Sequence, residues 1–186
     1  MKKTIYSSLL LAALITPLSL SPAVAQLTFT TPSNDQARAP RPERDRGPTL
    51  DAALIAARTA VESCTAKGFR VTAVVVDAAA LPVVVLSGNG AAAITQSIGM
   101  GKAVSSVRNG KPSAELAVEA QSNTELAAQL AADPQQGPQR AGGIPIMEGS
   151  TVIGAIAVSG ATSGQIDAEC AQAGLDQMAS AGAAAH

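Results

Sequence analysis

One stretch decides the fold of this chain: Ala141 to Thr162, with the sequence AGGIPIMEGSTVIGAIAVSGAT. It contains two apolar runs, Ile144–Met147 and Thr151–Val158, which a Glu-Gly-Ser turn separates. Two such runs joined by a short turn predict a β-hairpin. The second run is apolar at successive positions, which is typical of a central strand covered by other elements. The chain then predicts a helix from Ser163 to about Met178.

A second hairpin is predicted upstream, from Arg70–Asp77 and Pro82–Leu86, because β-branched residues dominate both runs. Helical patterns occupy the remaining segments, at residues 49–67, 91–108 and 113–131. Strands joined as hairpins form antiparallel sheets, and the helices must then pack on the faces of the sheet. The sequence therefore predicts an α+β fold, with an antiparallel sheet of about four to five strands and flanking helices.

The predicted helices carry apolar stripes that indicate their buried faces. In the first helix the stripe repeats every three or four residues and consists of Leu50, Leu54, Ala57, Val61 and Cys64. In the second helix we expect Ile94, Ile98 and Val104 to face inward. Ser113 is a candidate N-cap for the third helix. Asp77 ends a strand, where it would accept backbone N–H groups of the turn or, alternatively, serve as a pocket carboxylate.

The first 25 residues have the pattern of a bacterial secretory signal peptide. Lys2 and Lys3 precede an apolar segment, Leu9–Leu20, and the A-x-A motif Ala23–Ala25 provides a cleavage site. The alternative, a membrane anchor, would need a longer apolar run without Pro17. We therefore expect a periplasmic or secreted protein with no transmembrane segment after cleavage near Ala25.

Composition divides the rest of the chain into three parts. Residues 26–48 are rich in proline and charge and predict a disordered linker, with a docking arm as the alternative. Residues 49–180 form the predicted domain, and residues 181–186 form a tail. The formal net charge is −1 and two phenylalanines are present, so neither a basic patch nor base stacking indicates a nucleic-acid partner.

Histidine and cysteine limit the chemistry. The single histidine is His186, the last residue, which argues against a Ser-His or Cys-His pair in a pocket and against a histidine-based metal site. Cys64 and Cys170 are the two cysteines, and each falls on an apolar helix face. They would form a disulfide if the first and last helices pack side by side in an oxidising compartment; the alternative is two buried thiols.

Several motifs resemble the GlcG/HbpS family of haem-binding and haem-degrading domains. Besides the opening stretch, the resemblance rests on VTAVVVDAA, SIGMGKA, NGKPSAEL and DAECAQAGLDQM, and it covers roughly Leu50 to Met178. It implies a profilin-like α+β domain, often a homo-oligomer, that binds haem or another small-molecule ligand. The positions that match the family pattern are Lys102, Gly143, Pro145, Ser159 and Gly160.

The resemblance makes haem the expected cofactor and directs attention to a few side chains. Met100 and Met147 are soft ligands that could hold a haem iron, although methionines are usually core residues. Lys102 is either a solvated helix residue or a cation lining a pocket for carboxylates or haem propionates. We expect the ligand site to involve Met100, Lys102, Gly143, Pro145 and Met147.

Three functions remain open at this point. The first is an exported small-ligand-binding domain that binds haem. The second is an enzyme that degrades haem or acts on a small organic acid, for which the residues indicate no acid–base pair. The third is an oligomeric structural or assembly domain without catalysis.

Overall fold

The computed structural model describes residues 46–137 and 139–184, and the side chains up to Ala181. The predicted signal peptide, most of the predicted linker, and His186 lie outside these residues. The elements follow in the order α1 (Leu50–Ala66), β1 (Thr72–Asp77), β2 (Pro82–Ser87), α2 (Ile94–Asn109), α3 (Ser113–Ser122), α4 (Thr124–Ala132), β3 (Gly143–Glu148), β4 (Thr151–Ser159) and α5 (Gly164–Ala184).

The four strands form one antiparallel sheet in the order β2-β1-β4-β3. Both predicted hairpins are present, and the central strands β1 and β4 pair with each other, with Val75 opposite Ile156. All six residues of β1 are buried, as are the last six of β4. The predicted α+β class and the antiparallel sheet are confirmed.

The helices cover the two faces of this sheet unequally. On one face α1 and α5 pack against Ala73, Val75, Ile156 and Val158. On the other face α2 packs against Val74, Val76, Ala155 and Ala157. The strand alternation explains the division, because successive side chains of a strand point to opposite faces.

The buried face of α1 differs from the predicted leucine stripe. Leu50 is 58% exposed and Leu54 is 44% exposed, whereas the buried face consists of Ala53, Ala56, Ala57, Ala60 and Cys64. Small side chains are selected here because α5 approaches closely: a Cβ on Gly174 would overlap the Ala56 carbonyl oxygen. The predicted spacing of three or four residues between buried positions of α1 is correct, but most of these positions are alanines and not leucines.

This close approach predicts a large effect for a small substitution. Gly174→Val is expected to destabilise the fold by about 1–3 kcal/mol or more, because the added atoms must separate α5 from α1. Leu54→Gln, on the exposed side of α1, is expected to change stability by less than about 0.5 kcal/mol. Urea unfolding of both variants measures the difference. Equal losses would contradict this packing.

The second helix is more deeply buried than its sequence indicates. Ile94, predicted to face inward, is 63% exposed at its start, whereas every residue from Gly101 to Val107 is buried. Polar residues in this segment are covered because residues 133–137 pack on α2, where Ser105 donates a hydrogen bond to the Gln136 side chain. A Cβ on Gly101 would come 2.8 Å from the Gln136 carbonyl oxygen, so glycine allows the loop to approach.

The single helix predicted over residues 113–131 is two helices. The chain leaves helical geometry at Asn123, whose side chain accepts a hydrogen bond from the Leu126 N–H and caps α4. Asparagine is a preferred N-cap, which a run rich in alanine and leucine had concealed. Ser113 does not cap α3: its hydroxyl instead donates to the Arg140 carbonyl and accepts from the Gly143 N–H.

Ordered contacts extend past the first and last predicted helices. The Ala78 N–H donates to the Arg46 carbonyl at 2.9 Å, so ordered contacts begin before Thr49, within the predicted linker. Thr49 caps α1 as predicted. Helix α5 continues to Ala184, six residues beyond the predicted end at Met178.

A disulfide joins Cys64 of α1 to Cys170 of α5, with Cα atoms 5.6 Å apart and a sequence separation of 106. Both cysteines are fully buried among the alanines of the α1–α5 interface. Among the described residues, no helix combines the length and apolar character needed to cross a membrane.

Candidate functional site

Lys102 and Asp167 form a buried ion pair between α2 and α5. Their Nζ and Oδ2 atoms are 2.7 Å apart, and the two side chains are 2% and 5% exposed. Lys102 Nζ also donates to the Val158 carbonyl at 2.9 Å, and Asp167 Oδ1 accepts from the Ala161 N–H. The pair therefore fastens the end of β4 and the loop after it to both helices. The expectation of a solvated Lys102 is wrong.

The surroundings of Lys102 shift its proton equilibrium. Burial lowers the pKa of Lys102 below its ordinary value of 10.5, because the charged ammonium loses hydration. The hydrogen bond and the charge of Asp167 act in the opposite direction, and the nearby positive charge of Arg140 lowers the pKa further.

Two consecutive glycines bring β3 against this pair. Gly142 has φ 128°, and a Cβ there would lie 2.7 Å from Lys102 Nζ and 2.9 Å from the Asp167 Cβ. A Cβ on Gly143 would lie 2.6 Å from Ser106 Oγ. The Gly-Gly dipeptide of the opening stretch is therefore required by close contact with α2, and at Gly142 also by backbone conformation.

A small cavity of about 190 Å³ adjoins the ion pair, and we call it the Lys102 cavity. Its wall combines one side of α2, the end of β4 and the loop that leads into α5. The lining residues are Thr95, Ile98, Lys102, Arg140, Asp167 and residues 159–164. Polar and charged groups thus share its wall with apolar ones such as Ile98 and Ala161.

A larger cavity of about 490 Å³ lies on the other face of the sheet, between the C-terminal part of α1 and β2, and we call it the α1–β2 cavity. Its apolar wall consists of Val61, Phe69 and Leu86, which pack against the core beneath α1. Arg58 and Arg70 also line it, and neither guanidinium forms an ion pair with a described residue. The cavity therefore combines an apolar wall with two arginines and one acid, Glu62.

A third depression, the β3–α5 groove, has a volume of about 510 Å³. Glycines 142 and 143, Ile144 and the alanines of α3 and α5 form much of its wall. The charged residues lining it are two acids, Glu169 and Asp176, and Glu169 pairs with Lys67 at 2.7 Å. The groove therefore favours uncharged or cationic groups over anions.

A family model described as haem degrading protein HbpS-like matches residues 49–176. The chain belongs to the HbpS-like family. The matched region begins at the cap of α1 and ends within α5, so it includes the whole sheet and all three cavities. The resemblance to GlcG/HbpS domains is thereby confirmed. No curated protein sequence matches the chain significantly.

Solved structures agree with this assignment. A double mutant of HbpS from Streptomyces reticuli is 33% identical, with a TM-score of 0.65 over 75% of this chain and 92% of that one. The protein ORFY from Klebsiella pneumoniae is 26% identical, with a TM-score of 0.67 over 74% and 94% of the two chains. PduOC, solved as a complex with haem, shares the fold at 20% identity, with a TM-score of 0.65 over 70% and 94%.

In this HbpS-like domain, the positions that match the family pattern occupy different places. Lys102, Ser159 and Gly160 line the Lys102 cavity together. Gly143 lines the β3–α5 groove on the other side of the Gly-Gly contact. Pro145 is buried within the edge strand β3 and lines none of the three cavities.

The two methionines expected as iron ligands lie away from the Lys102 cavity and from the α1–β2 cavity. Met100 is half-buried on α2, where it packs against the core beneath that helix. Met147 is 47% exposed towards the turn of the β3–β4 hairpin. Neither lines the Lys102 cavity or the α1–β2 cavity.

Sequence reasoning missed several residues of these sites. Asp167 lies in the first turn of α5, and nothing in the local sequence indicates that it pairs with a lysine 65 residues away. Arg58 lies on α1 and Arg70 lies in the loop between α1 and β1, and both line the same cavity. A possible signal for Asp167 was its place in the D-x-x-C motif, three residues before Cys170.

Proposed function

We propose that this chain is an exported HbpS-like domain that binds haem in the α1–β2 cavity. Membership of the family is the observation that carries the proposal. The haem complex of PduOC supports it as the ligand-bound form of a protein with the same fold.

Two features support export to the periplasm or the outside. The N-terminus has the charged, apolar and A-x-A segments of a signal peptide. The Cys64–Cys170 disulfide belongs to an oxidising compartment, because cytosolic thiols are kept reduced.

Size and charge favour the α1–β2 cavity over the other two. Pockets for ligands of drug size or larger have volumes of about 300–1,000 Å³, so the Lys102 cavity, at about 190 Å³, is too small for a porphyrin. The β3–α5 groove presents the Asp176 carboxylate beside the Glu169–Lys67 ion pair, and Asp176 would repel haem propionates. The α1–β2 cavity offers Phe69 and aliphatic side chains for the porphyrin face, with Arg58 and Arg70 for the propionates.

The axial ligand is where the residues fit haem least well. Haem iron is usually held by histidine, cysteine, methionine or tyrosine. The α1–β2 cavity contains none of these and supplies only oxygen ligands, of which the Glu62 carboxylate is the strongest. We therefore expect the cavity to hold the porphyrin through its apolar face and propionates, with weak, high-spin coordination of the iron.

A haemin titration of the purified protein tests the proposal. We expect a saturable Soret change at about one haem per chain, with a high-spin spectrum. Arg58→Gln combined with Arg70→Gln should weaken binding at least about tenfold, because both charge-assisted contacts to the propionates are lost. Lys111→Gln, which removes an exposed lysine elsewhere, is the matched control.

Met100→Leu separates this site from the one expected from the sequence. Met100 lies on the opposite face of the sheet from the α1–β2 cavity, so its replacement should leave the haem spectrum unchanged. If the Met100→Leu variant shows no Soret change, the haem site lies beside α2 and not in the α1–β2 cavity. A non-saturating rise in absorbance would reject haem binding altogether.

Haem degradation is a second candidate, which the description of the family favours. The same titration extends to it: after haem is bound, ascorbate or peroxide is added and the Soret band is followed. If the Soret band of the unmodified protein decays and that of the arginine double variant does not, degradation is assigned to the α1–β2 cavity. A stable band would leave binding as the function.

A further inference from the structure

We infer that the Lys102 cavity is a binding site for a short monocarboxylate that carries a second oxygen, of the size of pyruvate. This inference goes beyond the proposed haem function, because it concerns a different cavity on the other face of the sheet. It rests on unused hydrogen-bond donors, on volume and on charge.

Two side chains that line this cavity have unused hydrogen-bond donors. The ammonium of Lys102 has three N–H donors, and two of them reach Val158 and Asp167. The third meets no acceptor among the described residues. Ser159, which is 4% exposed and lines the cavity, has a hydroxyl without a hydrogen-bond partner in the same part of the chain. Both groups can therefore donate to a ligand or to water in the cavity.

The loop that enters α5 adds backbone donors at the same place. The N–H groups of Thr162, Ser163 and Gly164 donate to no acceptor within residues 46–137 and 139–184. These residues line the cavity and precede or begin the 21-residue helix α5, whose N-terminus carries partial positive charge. Together with the buried lysine and serine, they form a cluster of donors around one small volume.

The charges of the wall select a single negative charge. Lys102 and Asp167 neutralise each other, and Arg140 at the rim leaves the wall with one net positive charge. The guanidinium of Arg140 has no ion-pair partner among the described residues and suits a bidentate contact with a carboxylate. A doubly charged phosphate would face the Asp167 carboxylate, which disfavours it.

The volume limits the length of the ligand. About 190 Å³ is smaller than the pockets of about 300–1,000 Å³ that hold drug-sized ligands, so a short acid fits this cavity better than a long one. The carboxylate would contact the loop N–H groups and Arg140, and the second oxygen would contact Ser159 and Lys102. A 2-oxo or 2-hydroxy acid of three carbons has this arrangement of oxygens.

Calorimetric titration with sodium pyruvate tests the inference, with sodium phosphate and sodium chloride at equal ionic strength for comparison. We expect saturable binding of pyruvate that Ser159→Ala weakens about fivefold, since one hydrogen bond is lost. Arg140→Gln should weaken it about tenfold, since a charge-assisted contact is lost. Arg58→Gln, which lies on the other face of the sheet, should leave pyruvate binding unchanged.

The stability of the variants separates binding from folding. Ser159→Ala removes a hydroxyl without a partner, so its unfolding temperature without ligand should not fall. Arg140 is exposed, so Arg140→Gln should also fold normally. Absence of saturable pyruvate binding, equal affinity in both variants, or tighter binding of phosphate would each overturn the inference. Haem binding by Arg140→Gln should stay normal, so failure of one proposal is distinguishable from failure of the other.

Discussion

Lys102→Met is expected to destabilise the domain by about 3–5 kcal/mol, because it leaves the Asp167 carboxylate buried without its partner. The methionine preserves the length of the side chain, so the loss reflects charge more than volume. It should also release the loop at Ala161, which Asp167 holds through a backbone hydrogen bond. Urea unfolding at neutral pH measures the loss. Lys111→Met, at an exposed pair with Glu119, should leave stability unchanged.

Two further variants show whether the pair or either charge alone matters. Lys102→Met combined with Asp167→Leu should recover much of the loss, because no uncompensated charge remains. Asp167→Asn should cost less than Lys102→Met, because burial already lowers the pKa of Lys102 and the ammonium can release its proton. Its stability should rise as the pH approaches 10.5, where the unfolded chain binds more protons than the folded one. Equal losses of unfolding free energy in all three variants would show that side-chain packing, and not the charges, stabilises this region.

Removal of the Cys64–Cys170 disulfide is the second change with a large expected effect. The bond closes a loop with a sequence separation of 106, and in the chain-entropy model such a loop is worth about 4–5 kcal/mol. Dithiothreitol should therefore lower the unfolding temperature by roughly 10 °C or more. The α1–α5 interface carries the effect, because both cysteines lie within it.

The control for the disulfide is the variant in which Cys64 and Cys170 are both alanine. Its unfolding temperature should match that of the reduced protein, and dithiothreitol should change it no further. If reduction has no effect on the unmodified protein, the bond adds nothing to the stability of this fold. If the reduced protein is far less stable than the alanine variant, buried thiols must disturb the packing.

Local signals were sufficient for the strands and for the first helix. Apolar and β-branched runs, the turns between them and the Thr49 cap are short-range features, and the corresponding elements appear within a few residues of their predicted bounds. The break at Asn123 was missed because a single cap residue competes with a strong helix-forming composition on both sides. The prediction that Ser113 caps α3 is wrong because its hydroxyl accepts a hydrogen bond from Gly143 of the distant strand β3.

The sequence by itself determined the class of fold, the family and the pairing of the strands into hairpins, because these depend on periodicity and on contiguous motifs. Only the tertiary structure decided which face of α1 is buried and that Lys102 is buried opposite Asp167. It also decided that Arg58 and Arg70 share a cavity with Phe69. Each of these depends on how closely two elements approach. That distance is set by glycines and alanines, whose lack of side-chain bulk gives little signal until their neighbours are in place.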